Sequence, residues 1–88
     1  MQIEYDLGKA AENASKHGVS FTDAEGVFFD PFAISIEDPG AVGETRFVAI
    51  GVGRTGSLLV IVFTERKGVR RLISARRATR KERTGYES

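Results

Sequence analysis

The sequence predicts an α+β fold: two N-terminal helices, a four-stranded antiparallel sheet and a C-terminal helix. Three observations predict it. Residues 7–28 carry helix caps, residues 32–75 hold four β-rich runs broken by short turn sequences, and residues 79–82 carry the start signal of one more helix.

The first helix spans Leu7 to His17. Asp6 is placed to cap its free N–H groups, and Gly18 suits the left-handed position just past its end. Ser20 and Asp23 have the spacing of a reciprocal capping box, with the shorter Asp in place of Glu, so a second helix is expected over Phe21 to Phe28. Asp30-Pro31 stops it, because proline drives the preceding residue out of the helical region.

Phe32–Glu37, Arg46–Val52, Leu58–Glu65 and Val69–Ala75 read as strands, separated by Asp38-Pro39-Gly40, Thr55-Gly56 and Lys67-Gly68. Connections this short imply antiparallel pairing, since a parallel crossover needs about a dozen residues or more. Leu58–Phe63 is apolar on both sides, so the third run should be the most buried strand, flanked by the second and fourth. Thr79 and Glu82 have capping-box spacing for a last helix from Arg80. Within it, Gly85 costs about 1 kcal/mol relative to alanine, which predicts a loosely ordered final turn around Tyr86.

At 88 residues the chain reads as a single domain, residues 1–88. A domain of this size buries only roughly 60% of the surface its unfolded chain exposes. With no cysteine, no disulfide reinforces it, and a permanent protein partner is one remaining source of stability. The start MQIEYD carries acid where a secretory signal carries lysine or arginine, and the longest aliphatic and aromatic run is six residues. A cytoplasmic protein with no membrane partner is expected.

The net charge of +1 conceals a division. Residues 1–53 hold three basic groups against nine acidic ones, a balance of −6, whereas residues 54–88 hold ten against three, a balance of +7. Such asymmetry points to nucleic acid or to an oppositely charged partner. The cations concentrate at Arg66, Lys67, Arg70, Arg71, Arg76, Arg77, Arg80, Lys81 and Arg83. Guanidinium groups grip phosphate bidentately and stay charged, which suits a polyanion; a solvated helix face is the plain alternative. Strict alternation puts Leu72, Ser74 and Arg76 on one face of the fourth strand and Arg71, Ile73, Ala75 and Arg77 on the other, so only one set can line a groove.

One histidine and no cysteine disfavour a transition-metal site, and no glycine-rich phosphate loop opens a helix; no cofactor is expected. Glu82 and Tyr86 share a helix side as a possible acid/base pair or as a cap and a packing aromatic. The plain reading of His17 is a helix-end residue, and that of Glu44 and Arg46 is a surface ion pair.

Lys9, Asn13, Lys16-His17-Gly18-Val19-Ser20-Phe21, Val27-Phe28 before Asp30-Pro31, Glu44-x-Arg46, Gly51, Thr64-x-Arg66 and Arg71-x-Ile73-Ser74-Ala75-Arg76-x-Ala78, with Glu82, Arg83 and Tyr86, together resemble the BrnT family. These are toxins of type II toxin–antitoxin pairs. Tyr5 stands where members often carry tryptophan.

The resemblance implies a RelE-like ribonuclease fold, RNA cleavage that inhibits translation, and a BrnA-type antitoxin. Operator DNA is then reached only through that antitoxin, whose complex with the toxin represses their operon. Metal-independent cleavage needs cations and proton-transfer groups. The candidates are Arg66 and Arg76 for charge, Glu82, Tyr86 and His17 for proton transfer, and Arg71, Arg77, Arg80, Arg83 and Lys67 for RNA contact. A non-catalytic basic binding module, or an inactivated toxin kept as a corepressor, are the alternatives.

Overall fold

The computed structural model describes residues 1–88. The chain folds as β1 (Gln2–Glu4), α1 (Leu7–His17), α2 (Phe21–Ala24) running into a 3₁₀ segment (Glu25–Phe29), β2 (Ile34–Glu37), β3 (Arg46–Val52), β4 (Leu58–Arg66), β5 (Val69–Arg77) and α3 (Arg80–Glu87). It is an α+β fold, but the sheet has five strands rather than four and is mixed. The order is β1-β5-β4-β3-β2, and β1 pairs parallel to β5. Three residues carry too little periodicity to announce a strand; β1 exists because β5 offers it a partner edge.

The helix starts follow the sequence. Asp6 accepts from the Lys9 N–H at 3.0 Å, and Gly18 closes α1 with φ of 69°. At α2 only half of the expected capping box forms. Ser20 Oγ accepts from the Asp23 N–H, but the Asp23 carboxylate turns away to the Thr55 N–H and hydroxyl, both at 2.8 Å. The α-helix also ends at Ala24, short of the expected Phe28. From there a tighter segment brings Gly26 against the backbone of Gly53 and Arg54, where an added Cβ would lie 2.4 Å from the Arg54 nitrogen. At α3 both arms of the box form: Glu82 N–H donates to Thr79 Oγ1, and Thr79 N–H to Glu82 Oε1.

Strand β2 starts at Ile34 instead of Phe32, since Asp30 to Ala33 is spent on a turn closed by an Ala33 N–H bond to the Asp30 carbonyl. Strand β4 is central, as its apolar run predicts, and α1, α2 and the 3₁₀ segment cover one sheet face. Val19, Phe21, Ala24 and Val27 pack there on Ala49, Leu59, Ile61, Phe63, Leu72 and Ala75. Tyr5 sits edge-on against Phe21 at 5.2 Å. The opposite face carries Ile34, Ile36, Val48, Ile50 and Val60, partly roofed by α3 over a cleft of about 290 Å³.

Candidate active site

The position of every arginine on β5 depends on one irregularity. Val62 faces Ser74 but its neighbour Phe63 faces Leu72, so Ile73 is an extra, unpaired residue. This bulge breaks strict alternation. Leu72 and Ala75, three apart, both enter the core, and Arg71 and Arg76, five apart, share the opposite face. The alternation read from sequence, with Arg71 and Arg76 on different sides, is therefore incorrect. Cross-strand registers add Arg46, Thr64 and Arg66 to the same face, with Ser74 between Arg71 and Arg76.

Where β1 leaves β5, a side chain continues the pairing. Asn13, 6% exposed, donates to the carbonyls of Ala75 and Val19 at 2.8 and 2.9 Å and accepts from the Ala75 N–H at 3.0 Å. This clamps α1 along the strand. Lys9, Glu12, Lys16 and His17 then surround a polar pocket of about 180 Å³ whose far wall is Ile73 and Ser74. The helix-end histidine thus stands at the exposed edge of β5, where Ser74 lines its pocket, while Arg71 and Arg76 lie on the sheet face turned away from α1 and α2. Lys9, Glu12 and Lys16 lie outside the sequence-predicted site residues, although their spacing of three and four along α1 places them on one helix side.

At one end of the face Arg76 is engaged. Its Nη1 and Nη2 donate to Glu82 Oε1 and Oε2, both at 2.8 Å. Those bonds, with the one from the Thr79 N–H, hold the Glu82 carboxyl down at about 2 despite partial burial. The same partner raises Arg76 further above its ordinary value. At neutral pH Glu82 is an ionised carboxylate committed to three donors, an orienting group for Arg76 and a poor proton acceptor.

Tyr86 is anchored rather than loose. Its hydroxyl donates to Asp30 Oδ2 at 2.6 Å, and that carboxylate also takes the Val52 and Phe32 N–H groups. Burial works to raise Asp30, but these hydrogen bonds outweigh it and hold the group below its ordinary range. The bond to Asp30 is also the main reason Tyr86 ionises only above the usual phenol range. The long contact across the chain offsets the local cost of Gly85.

Arg66 and Arg76 are not neighbours. Arg76 lies opposite Val60, so six residues of β4 separate the two, about 20 Å at the usual rise per residue. They do not share one phosphate. Arg77 turns off the face to Ser57 Oγ at 3.2 Å, while Arg80 and Arg83 sit exposed on α3, Arg83 loosely beside Glu87 at 3.7 Å. Arg71 bonds Glu4 across the β1–β5 pair. The expected Glu44–Arg46 pair is absent from the ion pairs that form.

The family model described as "Ribonuclease toxin, BrnT, of type II toxin-antitoxin system" matches residues 5–82. The chain belongs to the BrnT family. A solved relative, the ribonuclease toxin BrnT of Brucella abortus, superposes with a TM-score of 0.66 at 25% identity, covering 91% of this chain and 99% of that one. No curated protein matches the sequence. As a BrnT family ribonuclease toxin of a type II system, the chain has RNA for its substrate and an antitoxin for its partner. The superposition extends over nearly the whole of both chains.

Proposed function

We propose that this BrnT toxin cleaves RNA without a metal on the face shared by Arg71, Ser74 and Arg76, with the chemistry centred at the Lys9–Lys16–His17 pocket. The ribose 2′-oxygen attacks the adjacent phosphorus and its proton passes to the His17 imidazole, the side chain most often used as a general base. The P–O5′ bond breaks, the leaving oxygen takes a proton from the Lys16 ammonium, and a 2′,3′-cyclic phosphate and a 5′-hydroxyl result. Arg71 and Arg76 stabilise the charge gathering on phosphorus, and removal of one such group costs on the order of 3 kcal/mol.

The observation that carries this reading is the bulge at Ile73, which puts Arg71, Ser74 and Arg76 on one face, with Ser74 also lining the histidine pocket at the edge of β5. In the cell, cutting RNA would inhibit translation in the cytoplasm, and a BrnA-type antitoxin would neutralise the toxin and repress the operon with it. The test is RNA incubated in EDTA with wild-type protein, Arg76→Ala and His17→Ala. Scission by wild type alone is expected; uncut RNA, or equal cutting by all three, overturns the proposal. The saturation of Arg76 by Glu82 favours one competitor, a non-catalytic module or corepressor, which would bind RNA in a salt-dependent way without cutting it.

A further inference from the structure

The hairpin end of the same face remains outside this chemistry. Glu4, Arg71, Thr64 and Arg46 lie in register across four strands, and Arg66 follows two residues beyond Thr64. Thr64, Arg66, Lys67 and Arg71 line a cleft of about 390 Å³ there together with Glu4 and Glu44. Glu4 is taken by Arg71, whereas Arg46, Arg66 and Lys67 form no ion pair.

Lys67 adds a second observation. It is the one non-glycine residue with a positive φ, 52°, and with Gly68 it forms the two-residue turn between β4 and β5. Asn or Gly fits that left-handed position at less cost. A lysine held there places an ammonium at the hairpin tip beside Arg66, and strained backbone of this kind gathers at functional sites.

We propose that this end is a distal phosphate subsite for single-stranded RNA, about 20 Å from Arg76, that sets a minimum substrate length. It rests on the ribonuclease reading. The occupant is RNA rather than an acidic peptide because Arg71, which lines the cleft, shares its sheet face with Ser74 and Arg76, so a strand engaged there would run along β5 toward the unpaired cations. A basic groove that tracks the backbone in this way binds single strands over several nucleotides.

The test compares wild type with a double variant, Arg66→Gln and Lys67→Asn, the asparagine keeping the turn because it tolerates left-handed backbone. Binding of 2′-deoxy oligonucleotides from dinucleotide to octanucleotide is followed by fluorescence anisotropy at several salt concentrations, with cleavage of the matching RNAs alongside. Wild type should bind the octanucleotide far more tightly than the dinucleotide. The double variant should raise the octanucleotide KM about tenfold with little change in kcat, and flatten the salt slope by about 1.4, two contacts at about 0.7 each. Loss on the dinucleotide as large as on the octanucleotide, an unchanged octanucleotide KM, or a defect confined to antitoxin binding would overturn the subsite. If wild type cuts nothing, the cleavage reading fails by itself. The length dependence of binding then still decides the subsite, and equal affinity of the two proteins for the octanucleotide overturns it.

Discussion

Glu82 holds Arg76 through two parallel 2.8 Å bonds while the same carboxylate takes the Thr79 N–H that opens α3. One side chain therefore links the last helix to the end of β5 and decides where a candidate catalytic guanidinium points. Its removal should be felt in stability and in activity together.

Glu82→Ala should lower stability by about 1–2 kcal/mol, mostly the loss of the cap, because a half-exposed ion pair adds little. Glu82→Gln should lose less, since its amide oxygen still accepts from Thr79. The sign with pH follows from the depressed carboxyl. The contribution is complete above 4.5, the ordinary value, and is lost as pH falls from there through about 2. Urea midpoints measured from pH 6 to pH 3 should fall more steeply for wild type than for Glu82→Gln; parallel curves would remove Glu82 from the account.

Asn13 supplies three buried hydrogen bonds, two of them to Ala75, 62 residues away in sequence. Asn13→Ala leaves the Ala75 backbone N–H and carbonyl unsatisfied, which costs about 2–4 kcal/mol. Chemical denaturation reads this directly. A change below about 1 kcal/mol would mean that water replaces the amide and that the clamp is not structural.

Tyr86→Phe deletes the hydroxyl bonded to Asp30 but keeps the ring over the apolar cleft. Stability should drop by about 1 kcal/mol, and the cleavage rate should fall no more than about tenfold. A fall of a thousandfold or more in an intact protein would return the phenol to the chemistry.

His17→Gln should abolish scission while leaving affinity for a 2′-deoxy oligonucleotide within about threefold, because phosphate contact is carried by the lysines and arginines. Scission by His17→Gln at a rate within about tenfold of wild type would assign proton transfer to another group.

Much of the architecture was legible because it is written in signals that act within a turn or two. Asp6, Ser20 and Thr79 start helices through bonds to residues three positions on, Lys67-Gly68 forms a tight hairpin, and the apolar run at Leu58–Phe63 has to lie between other strands. The concentration of charge in residues 54–88 and the motifs shared with BrnT toxins are likewise properties of order along the chain.

Tertiary structure alone decided what those signals do not reach. Whether Asp23 caps its own helix or crosses to Thr55 depends on which partner packing brings near it. The pairing of β1 with β5 and the anchoring of Tyr86 on Asp30, 56 residues away, are settled in the same way. The bulge at Ile73 is the sharpest case. A regular strand would bury Leu72 but turn Ala75 outward; packing both against the helices requires one extra residue, and that residue carries Arg76 round to the face of Arg71. Local sequence determined that the strand forms and is rich in arginine, and the demands of the core on its other side determined which arginines meet.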